Sequence, residues 1–284
     1  MLTRRSLEFG RGRIWIASLV LGAAVAHVSS LTGSAVQAQE YMTGIEWPEP
    51  PIITPGKSDS EPPSDAVVLF NGKDLSAWNG NWRIEDGALL STRGDLTSKQ
   101  SFGDCQLHVE WAAPTEVRGT SQGRGNSGVF LMDRYELQVL DSYDNKTYFD
   151  GQAGAIYKQT PPMVNAMRKP GEWNSFDIIW TAPVFNEDGT LKSPAYMTAL
   201  HNGVLILNHF ALLGTTPFNQ PPKYEKHGKL PIHLQYHNNP VRYRNIWVRE
   251  TTPIEGKRVK PPFMRRGETE TPVTPVPPLS ANSK

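Results

Sequence analysis

Short runs of alternating hydrophobic and polar residues dominate the middle of the chain. In residues 135–140 (YELQVL) the apolar positions fall on one face of a predicted strand, while Glu136 and Gln138 fall on the other. Burying a carboxylate or an amide without partners is costly. The polar face is therefore either a solvated outer surface or a polar site on the concave face of a β-sandwich, and the pattern leaves both open.

The same period of two recurs in other segments. Residues 105–111 alternate cleanly, residues 173–180 form another predicted strand, and residues 232–236 and 243–249 form a predicted final pair. No segment has the period of a long amphipathic helix. About a dozen evenly spaced strands predict an all-β fold, a two-sheet antiparallel sandwich.

Two dipeptides indicate where the predicted strands turn back. Asp86-Gly87 and Asn202-Gly203 each separate two apolar runs. Such pairs favour the tight turns of two-residue β-hairpins, because both residues tolerate the required positive φ. Two hairpins are therefore expected at these positions.

The N-terminal segment is typical of an export signal. It has a charged start and an apolar run at residues 14–28 that is short for a membrane span, and a small-residue site ends at Ala38. The pair Arg4-Arg5 resembles a twin-arginine signal, with an ordinary secretory signal or an uncleaved anchor as alternatives. We expect residues 1–38 to direct export to the periplasm or beyond, with no stable membrane span after cleavage.

Proline-rich segments flank the predicted domain. Residues 39–65 form a predicted Pro-rich arm, and residues 252–284 (with TPVTPVPPLS) form a predicted disordered tail, or one wrapped on the surface. The sandwich is then expected over residues 66–251.

Composition narrows the functional classes. The formal net charge is +1, and no basic stripe indicates a nucleic-acid partner. The chain has one cysteine, Cys105, so an internal disulfide is excluded, and the alternating pattern makes it a small buried residue. No Cys/His spacing resembles a structural zinc site.

Polar and aromatic residues that suit a sugar site occur in separate segments. They are Asn126, Arg134, Glu136, Gln138, Asp141, Tyr157, Trp173, Gln235, His237 and Arg244. Acids and amides bond sugar hydroxyls, and an aromatic ring stacks on the sugar. For two of them a structural role is an equal alternative: Arg244 as a salt bridge of the last strand, and Asp141 as a turn-capping acid.

A series of motifs carries a family resemblance. The motifs are LFNGKDL with Trp78, Trp82 with EDG at residues 85–87, NSG at 126–128, YELQVLD at 135–141, GAIY at 154–157, GEWN at 171–174, LQ at 234–235 with His237, and RNI at 244–246. In this order they resemble the 3-keto-disaccharide hydrolase family. The resemblance implies a concanavalin-like jelly roll, export in bacteria, and action on glycosides oxidised at C3. It departs at Tyr236 and Asn238, where the family commonly has Asp and Gly.

The chemistry implied by the resemblance assigns provisional roles. A C3 keto group acidifies the C2 proton, so that a base can remove it and the C1 oxygen can leave. Glu136 and His237 are the candidate base and acid, in an order the sequence does not assign, and Arg134 or Arg244 would stabilise the enolate. Five residues would position an oligosaccharide or glycoside substrate: Asn126, Gln138, Tyr157, Trp173 and Gln235.

Two other functions and a cofactor stay open at this stage. A conventional glycosidase would pair Glu136 with Glu110 or Asp141, and a non-catalytic carbohydrate-binding module would use the same fold. A divalent metal is also open, since several residues offer suitable oxygen or nitrogen atoms although no spacing motif demands it. These residues are Glu136, Asp141, His233 and His237.

Overall fold

The computed structural model describes residues 38–273. The predicted export signal, except for its last residue, lies outside the described residues. The chain divides into two compact units. One spans Trp47–Gly256, and the other combines the segments on either side of it, described for residues 38–46 and 257–273. No helix within residues 38–273 is long and apolar enough to span a membrane.

The described residues form twenty strands and two short 3₁₀ helices. The first ten strands are β1 (Glu40–Met42), β2 (Ile45–Glu46), β3 (Val67–Phe70), β4 (Trp78–Asn79), β5 (Arg83–Glu85), β6 (Ala88–Leu90), β7 (Leu96–Phe102), β8 (Cys105–Ala112), β9 (Ser127–Leu131) and β10 (Tyr135–Val139). The others are β11 (Asn174–Thr181), β12 (Val184–Phe185), β13 (Leu191–Ser193), β14 (Tyr196–His201), β15 (Val204–Ala211), β16 (Leu230–Leu234), β17 (Arg242–Glu250), β18 (Lys257–Arg258), β19 (Phe263–Arg266) and β20 (Thr269–Pro272). The 3₁₀ helices are Ser121–Gly123 and Phe149–Gly151.

Two antiparallel sheets build the larger unit. The five-stranded sheet has the order β10-β9-β16-β7-β4, and the eight-stranded sheet has the order β15-β14-β11-β8-β17-β6-β5, with β3 paired to β17. The core consists of large side chains such as Trp111, Trp180 and Tyr243, each nearly inaccessible to solvent. The predicted all-β class, a two-sheet antiparallel jelly roll, is confirmed.

The predicted hairpins at the two turn dipeptides are confirmed. Strands β5 and β6 pair around Asp86-Gly87, and β14 and β15 pair around Asn202-Gly203. The predicted final pair is wrong, since β16 belongs to the smaller sheet and β17 to the larger one. Residues 235–241 carry the chain from one sheet to the other, a crossing that strand periodicity does not reveal.

The edge of the smaller sheet is formed by the β9–β10 hairpin. Glu136 pairs with Phe130, and Gln138 pairs with Gly128. All five residues of β10 are buried, because residues 153–157 run along the free edge: the N–H of Gln138 donates to the carbonyl of Ala155 over 3.0 Å. A solvated outer surface at Glu136 is therefore the wrong interpretation.

The smaller unit contains strands where the sequence predicted irregular chain. Strands β1, β19 and β20 form a three-stranded sheet, and β2 pairs with β18. The disordered tail predicted from residue 252 is thus wrong for the segments of β18–β20. Proline frequency concealed the buried Phe263, whose ring lies 3.8 Å from the Lys260 Nζ atom.

The rest of the Pro-rich arm belongs to the larger unit. Residues 47–66 contain no strand, as the prolines predict. The carbonyl of Ser60 accepts hydrogen bonds from the side chains of Asn245 (2.8 Å) and Trp247 (2.9 Å). The arm therefore covers the outer face of the larger sheet next to β17.

Candidate functional site

A cavity of about 630 Å³ opens beside the five-stranded sheet, within the size range of small-molecule sites. Four of its lining residues are aromatic: Phe130, Tyr148, Tyr157 and Phe218. The other seven are polar: Gln122, Asn126, Glu136, Gln138, Thr216, Gln235 and His237. The cavity thus brings together Glu136 and His237, the candidate base and acid, with four of the five predicted sugar-positioning residues.

The Glu136 carboxyl group lies over Gly128, the β9 residue that pairs with Gln138 and has no side chain. A Cβ atom at Gly128 would overlap the Glu136 carboxyl group and would lie 2.8 Å from the Phe130 ring. The backbone N–H of Glu136 donates to the Thr216 hydroxyl over 3.0 Å. The carboxyl group is thus held between the Gly128 backbone and the aromatic residues of the lining.

The Glu136 carboxyl group is buried without a counter-charge. The residue is 5% exposed, and it forms no salt bridge within the described part of the chain. Burial raises its pKa from 4.5 to about 8, because desolvation disfavours the charged form. Glu136 is therefore a neutral carboxylic acid at neutral pH, able to donate a hydrogen bond.

Side-chain amides continue from Glu136 to the loop beyond it. The Gln138 Nε2 atom donates to Gln122 Oε1 over 3.0 Å. The Gln122 Nε2 atom in turn donates to the Gly151 carbonyl (2.9 Å) and to the Thr147 hydroxyl (2.8 Å). These bonds join the strand β10 to the 3₁₀ helix Phe149–Gly151.

His237 lies at the exposed rim of the cavity in a fixed turn. The N–H of Gln235 donates to the Gly128 carbonyl over 3.0 Å, which ties the turn to β9. The carbonyl of His237 accepts a hydrogen bond from the Asn239 side chain over 2.8 Å. The backbone is held, while the imidazole stays accessible to a ligand and to solvent.

Three aromatic residues of the lining, Tyr148, Tyr157 and Phe218, lie in loops. The hydroxyl groups of Tyr148 and Tyr157 lie 2.8 Å apart, and burial together with this bond raises the pKa of Tyr157. Lys158 Nζ lies 3.5 Å from the centre of the Tyr148 ring. Phe218 is 72% exposed, so it offers a free face on which a sugar ring can stack.

Two candidate residues near the hairpin do not line this cavity. Arg134 lies in the β9–β10 turn, where its guanidinium is 3.7 Å from Glu225. Asp141 forms a 2.6 Å ion pair with Arg124 and accepts from the N–H of Tyr143. Their predicted catalytic roles are not supported by this placement, because both side chains serve local structure.

Two further candidates lie on the outer face of the other sheet. Arg244 forms a 2.6 Å bond with Glu110, and its guanidinium lies 4.1 Å from the centre of the Trp173 ring. Both residues line a separate cavity of about 210 Å³. The salt-bridge alternative for Arg244 is the one that the structure shows, and Trp173 is not a platform of the main cavity.

Comparison with known proteins decides the family. The profile of the 3-keto-alpha-glucoside-1,2-lyase-like domain matches residues 65–249. The chain belongs to the 3-keto-alpha-glucoside-1,2-lyase-like family. The resemblance inferred from the motifs is thereby confirmed, and the matched region contains every residue that lines the cavity.

Two solved structures from the bacterium Parabacteroides distasonis are similar to the family domain. A presumed glycosyl hydrolase from Parabacteroides distasonis is 50% identical, with a TM-score of 0.70, over 72% of this chain and 93% of its own. A second such protein from that organism is 20% identical over 66% of this chain and 94% of its own, with a TM-score of 0.49. No curated protein matches the chain.

The two departures from the family motif fall at different places. Tyr236 packs against the hydrophobic core. Asn238 has a φ of 56°, a conformation that glycine and asparagine adopt most readily. It lines a neighbouring cavity of about 450 Å³ with Asp141. Neither Tyr236 nor Asn238 lines the main cavity.

The proposed metal ligands are dispersed in the family domain. His233 lies between Asp133 (2.7 Å) and Asp95 (3.2 Å), while Asp141 pairs with Arg124. Within residues 38–273, no group of three or more His, Cys, Asp and Glu side chains is arranged to hold a metal ion.

Sequence reasoning missed five lining residues: Gln122, Phe130, Tyr148, Thr216 and Phe218. Four of them have no motif of their own: Gln122 lies in a 3₁₀ helix, and Tyr148, Thr216 and Phe218 lie in loops. Phe130 had a signal, since it lies in the apolar run that follows the NSG motif. The long irregular segment between β10 and β11, predicted to be a functional loop, contributes Tyr148 and Tyr157 to the cavity lining.

Proposed function

We propose that the protein is an exported carbohydrate-active enzyme that cleaves glycosides oxidised at C3 of the sugar. The observation that carries this proposal is a buried carboxyl group without a counter-charge and a rim histidine in one aromatic-lined cavity of the family domain. The similarity to glycosyl hydrolases supports a sugar substrate. The charged and apolar N-terminal segment supports export.

Glu136 takes the role of hydrogen-bond donor to the C3 oxygen. Neither predicted arginine lines the cavity, so the charge of an enolate needs another partner. A neutral carboxylic acid in a desolvated pocket can donate to an enolate oxygen without placing a second negative charge beside it. The Tyr157 hydroxyl, whose pKa is raised by burial, is a second neutral donor in the same lining.

His237 takes the role of the base. It removes the C2 proton, and the C–H electrons form the enolate. The enolate then collapses to a C1=C2 double bond while the bond between C1 and the glycosidic oxygen breaks. The departing oxygen takes a proton from solvent at the open rim, and His237 returns its proton there. Addition of water across C1=C2 gives net hydrolysis.

The remaining polar groups fit a sugar ring. Asn126, Gln138 and Gln235 present amides to hydroxyl groups, and Phe218 presents an exposed ring face. A two-carboxylate glycosidase is less consistent with this lining. Among its described residues Glu136 is the one carboxyl group, while Glu110 and Asp141 line other cavities.

Product analysis in heavy water tests the proposal. With a 3-keto-glucoside as substrate, we expect the released 3-keto-glucose to carry deuterium at C2. The free product incubated alone measures spontaneous exchange, and an unoxidised nitrophenyl glucoside measures conventional hydrolysis. Release of product without deuterium above that background, or equal turnover of the unoxidised glucoside, would contradict proton abstraction at C2.

A further inference from the structure

The amides beside Glu136 form a chain of hydrogen bonds with a fixed direction. The Gly151 carbonyl can only accept, so Gln122 must present its Nε2 atom to it, over 2.9 Å. The Gln122 Oε1 atom then faces Gln138, whose Nε2 atom lies 3.0 Å away. A backbone carbonyl thus sets the orientation of two successive side-chain amides.

This direction determines what Glu136 meets. With its Nε2 atom turned to Gln122, Gln138 presents its Oε1 atom to Glu136, and the two oxygen atoms lie 2.8 Å apart. Two oxygen atoms at hydrogen-bond distance require a proton between them. In the absence of substrate, Glu136 supplies that proton as a neutral acid, because an amide oxygen can only accept. The same O–H group turns to the C3 oxygen when a substrate binds.

Ionised Glu136 would need the chain reversed. Turning the Gln138 amide lets Nε2 donate to Glu136 and to the Ser127 carbonyl, 3.1 Å away. It also places the Gln138 oxygen 3.0 Å from Gln122 Oε1. If the Gln122 amide is turned as well, its Oε1 atom faces the Gly151 carbonyl at 2.9 Å, so the contact between two acceptor oxygen atoms moves to that position.

Both arrangements contain one contact between oxygen atoms, so the charge decides between them. In the neutral arrangement Gln138 Oε1 faces the Ser127 carbonyl at 3.1 Å. The reversed arrangement replaces this contact with the one at Gln122 or Gly151, and it adds an uncompensated charge in a buried position. The neutral arrangement is favoured.

We propose that Gln122 is a positioning residue that holds Glu136 in its neutral form through the Gln138 amide. Gln122 itself stays on the wall of the cavity, and its effect passes through Gln138. The catalytic significance of this role rests on the proposed function. The effect on Glu136 protonation does not, because it can be measured without substrate.

Replacement of Gln122 by methionine tests whether this chain of hydrogen bonds sets the protonation of Glu136. Gln122→Met keeps the length of the side chain and removes the oxygen that faces Gln138. The Gln138 amide is then free to donate to Glu136, which favours the ionised form. We expect the Glu136 carboxyl band, measured by infrared difference against Glu136→Gln, to titrate about one pH unit lower than in the wild type.

A second variant separates this role from general support. Gln122→Glu keeps an oxygen atom that accepts from Gln138 Nε2 whether the new carboxyl group is neutral or ionised, so the Glu136 titration should not move below that of the wild type. Gln159→Met is the matched control, since that amide bonds the Gly214 carbonyl and the Leu213 N–H outside the chain. Its Glu136 titration should be unchanged.

Kinetics supply the second readout. The basic limb of the kcat profile should move down with the titration in Gln122→Met, giving about a tenfold loss at about pH 8.5 and less than about twofold at about pH 6. An unshifted titration in Gln122→Met, or a uniform loss of kcat at every pH, would overturn the proposal. A shifted titration in an enzyme inactive on 3-keto-glucosides would overturn the proposed function alone.

Discussion

Two glutamates on the two sheets show how differently a buried carboxyl group can be treated. Glu110, on the larger sheet, lies across from Arg244 at 2.6 Å and accepts from the Asn245 amide at 2.9 Å. His108 lies 3.7 Å away. Burial alone would raise the Glu110 pKa, but these partners outweigh burial and lower the pKa to about 2. Glu136, on the smaller sheet, has no such partner, and burial raises its pKa to about 8.

The difference distinguishes an outer cluster of charged residues with a structural role (His108, Glu110, Asp177 and Arg244) from the reactive group in the cavity. The outer cluster is assembled by strand register, which places Asp177 and Trp247 opposite His108, and Arg244 opposite Glu110. Every charge there is neutralised by a neighbouring strand. At Glu136 the register supplies only Phe130, and a perturbed acid in a cavity is the arrangement expected of a functional site.

The largest expected effect comes from exchanging each glutamate for glutamine. Glu136→Gln should reduce kcat on a 3-keto-glucoside by about 10²- to 10⁴-fold, because the proton donor to the C3 oxygen is weakened. Glu110→Gln should leave kcat within about threefold while lowering the free energy of unfolding by about 1–3 kcal/mol. Steady-state kinetics and denaturant unfolding measure both. Equal kcat values for the two variants would remove the distinction.

His237 at the cavity rim and His108 on the larger sheet should differ in the same way as the two glutamates, with a smaller effect on kcat. His237→Gln removes the base from the cavity rim and should lower kcat by about 10²- to 10³-fold. His108→Gln should leave kcat nearly unchanged, because His108 lies on the outer face between two carboxylates. A kcat in His237→Gln within about threefold of wild type would assign the base elsewhere.

Gly128 tests whether the placement of Glu136 matters. Gly128→Ala adds a Cβ atom that would overlap the Glu136 carboxyl group, so it should reduce kcat about tenfold by moving the donor away from its position. Gly228→Ala is the control, since a Cβ atom there meets nothing within 4 Å. Comparable kcat in both variants would show that the carboxyl group tolerates displacement.

Stability should respond to pH in the two regions through different residues. Burial alone would lower the His108 pKa, but the hydrogen bond with Asp177 and the nearby charge of Glu110 outweigh it and raise the pKa from 6.5 to about 9. The stability it contributes is therefore full below about pH 6.5 and lost as the pH rises through about 9. His108→Gln should destabilise the protein by about 1–3 kcal/mol at about pH 6 and much less at about pH 10.

Glu136 should add a fall in stability over a lower window. Its folded-state pKa is raised, so stability decreases as the pH rises from about 4.5 through about 8. Glu136→Gln should remove this decrease, and the variant should be more stable than the wild type at about pH 9 by about 1–3 kcal/mol. Unfolding curves at several pH values measure both effects. An unchanged pH profile in Glu136→Gln would show that the group ionises normally.

Periodicity predicted the sheets better than it predicted their connections. The alternation around Glu136 and the dipeptide Asn202-Gly203 were sufficient for the strand and the hairpin, since both are local properties. The crossing of residues 235–241 between sheets was missed, because it depends on packing. Strand β7 was missed as well, since its centre is polar.

The site was predictable only in part, for the same reason. Motif residues such as Glu136, Gln138 and His237 converge in the cavity. Arg244 and Trp173 do not, because adjacency in a motif series says nothing about which sheet face a residue occupies. Gln122 could not be found from sequence, as its role depends on a carbonyl 29 residues away.

The decisive measurement is the protonation state of Glu136 compared with that of Glu110. Carbon NMR of protein labelled at the glutamate carboxyl carbons, assigned with Glu136→Gln and Glu110→Gln, would follow both groups through a pH titration. The account predicts a Glu136 midpoint near pH 8 and a Glu110 signal that stays ionised down to about pH 2. A Glu136 midpoint near its ordinary value of 4.5 would contradict it.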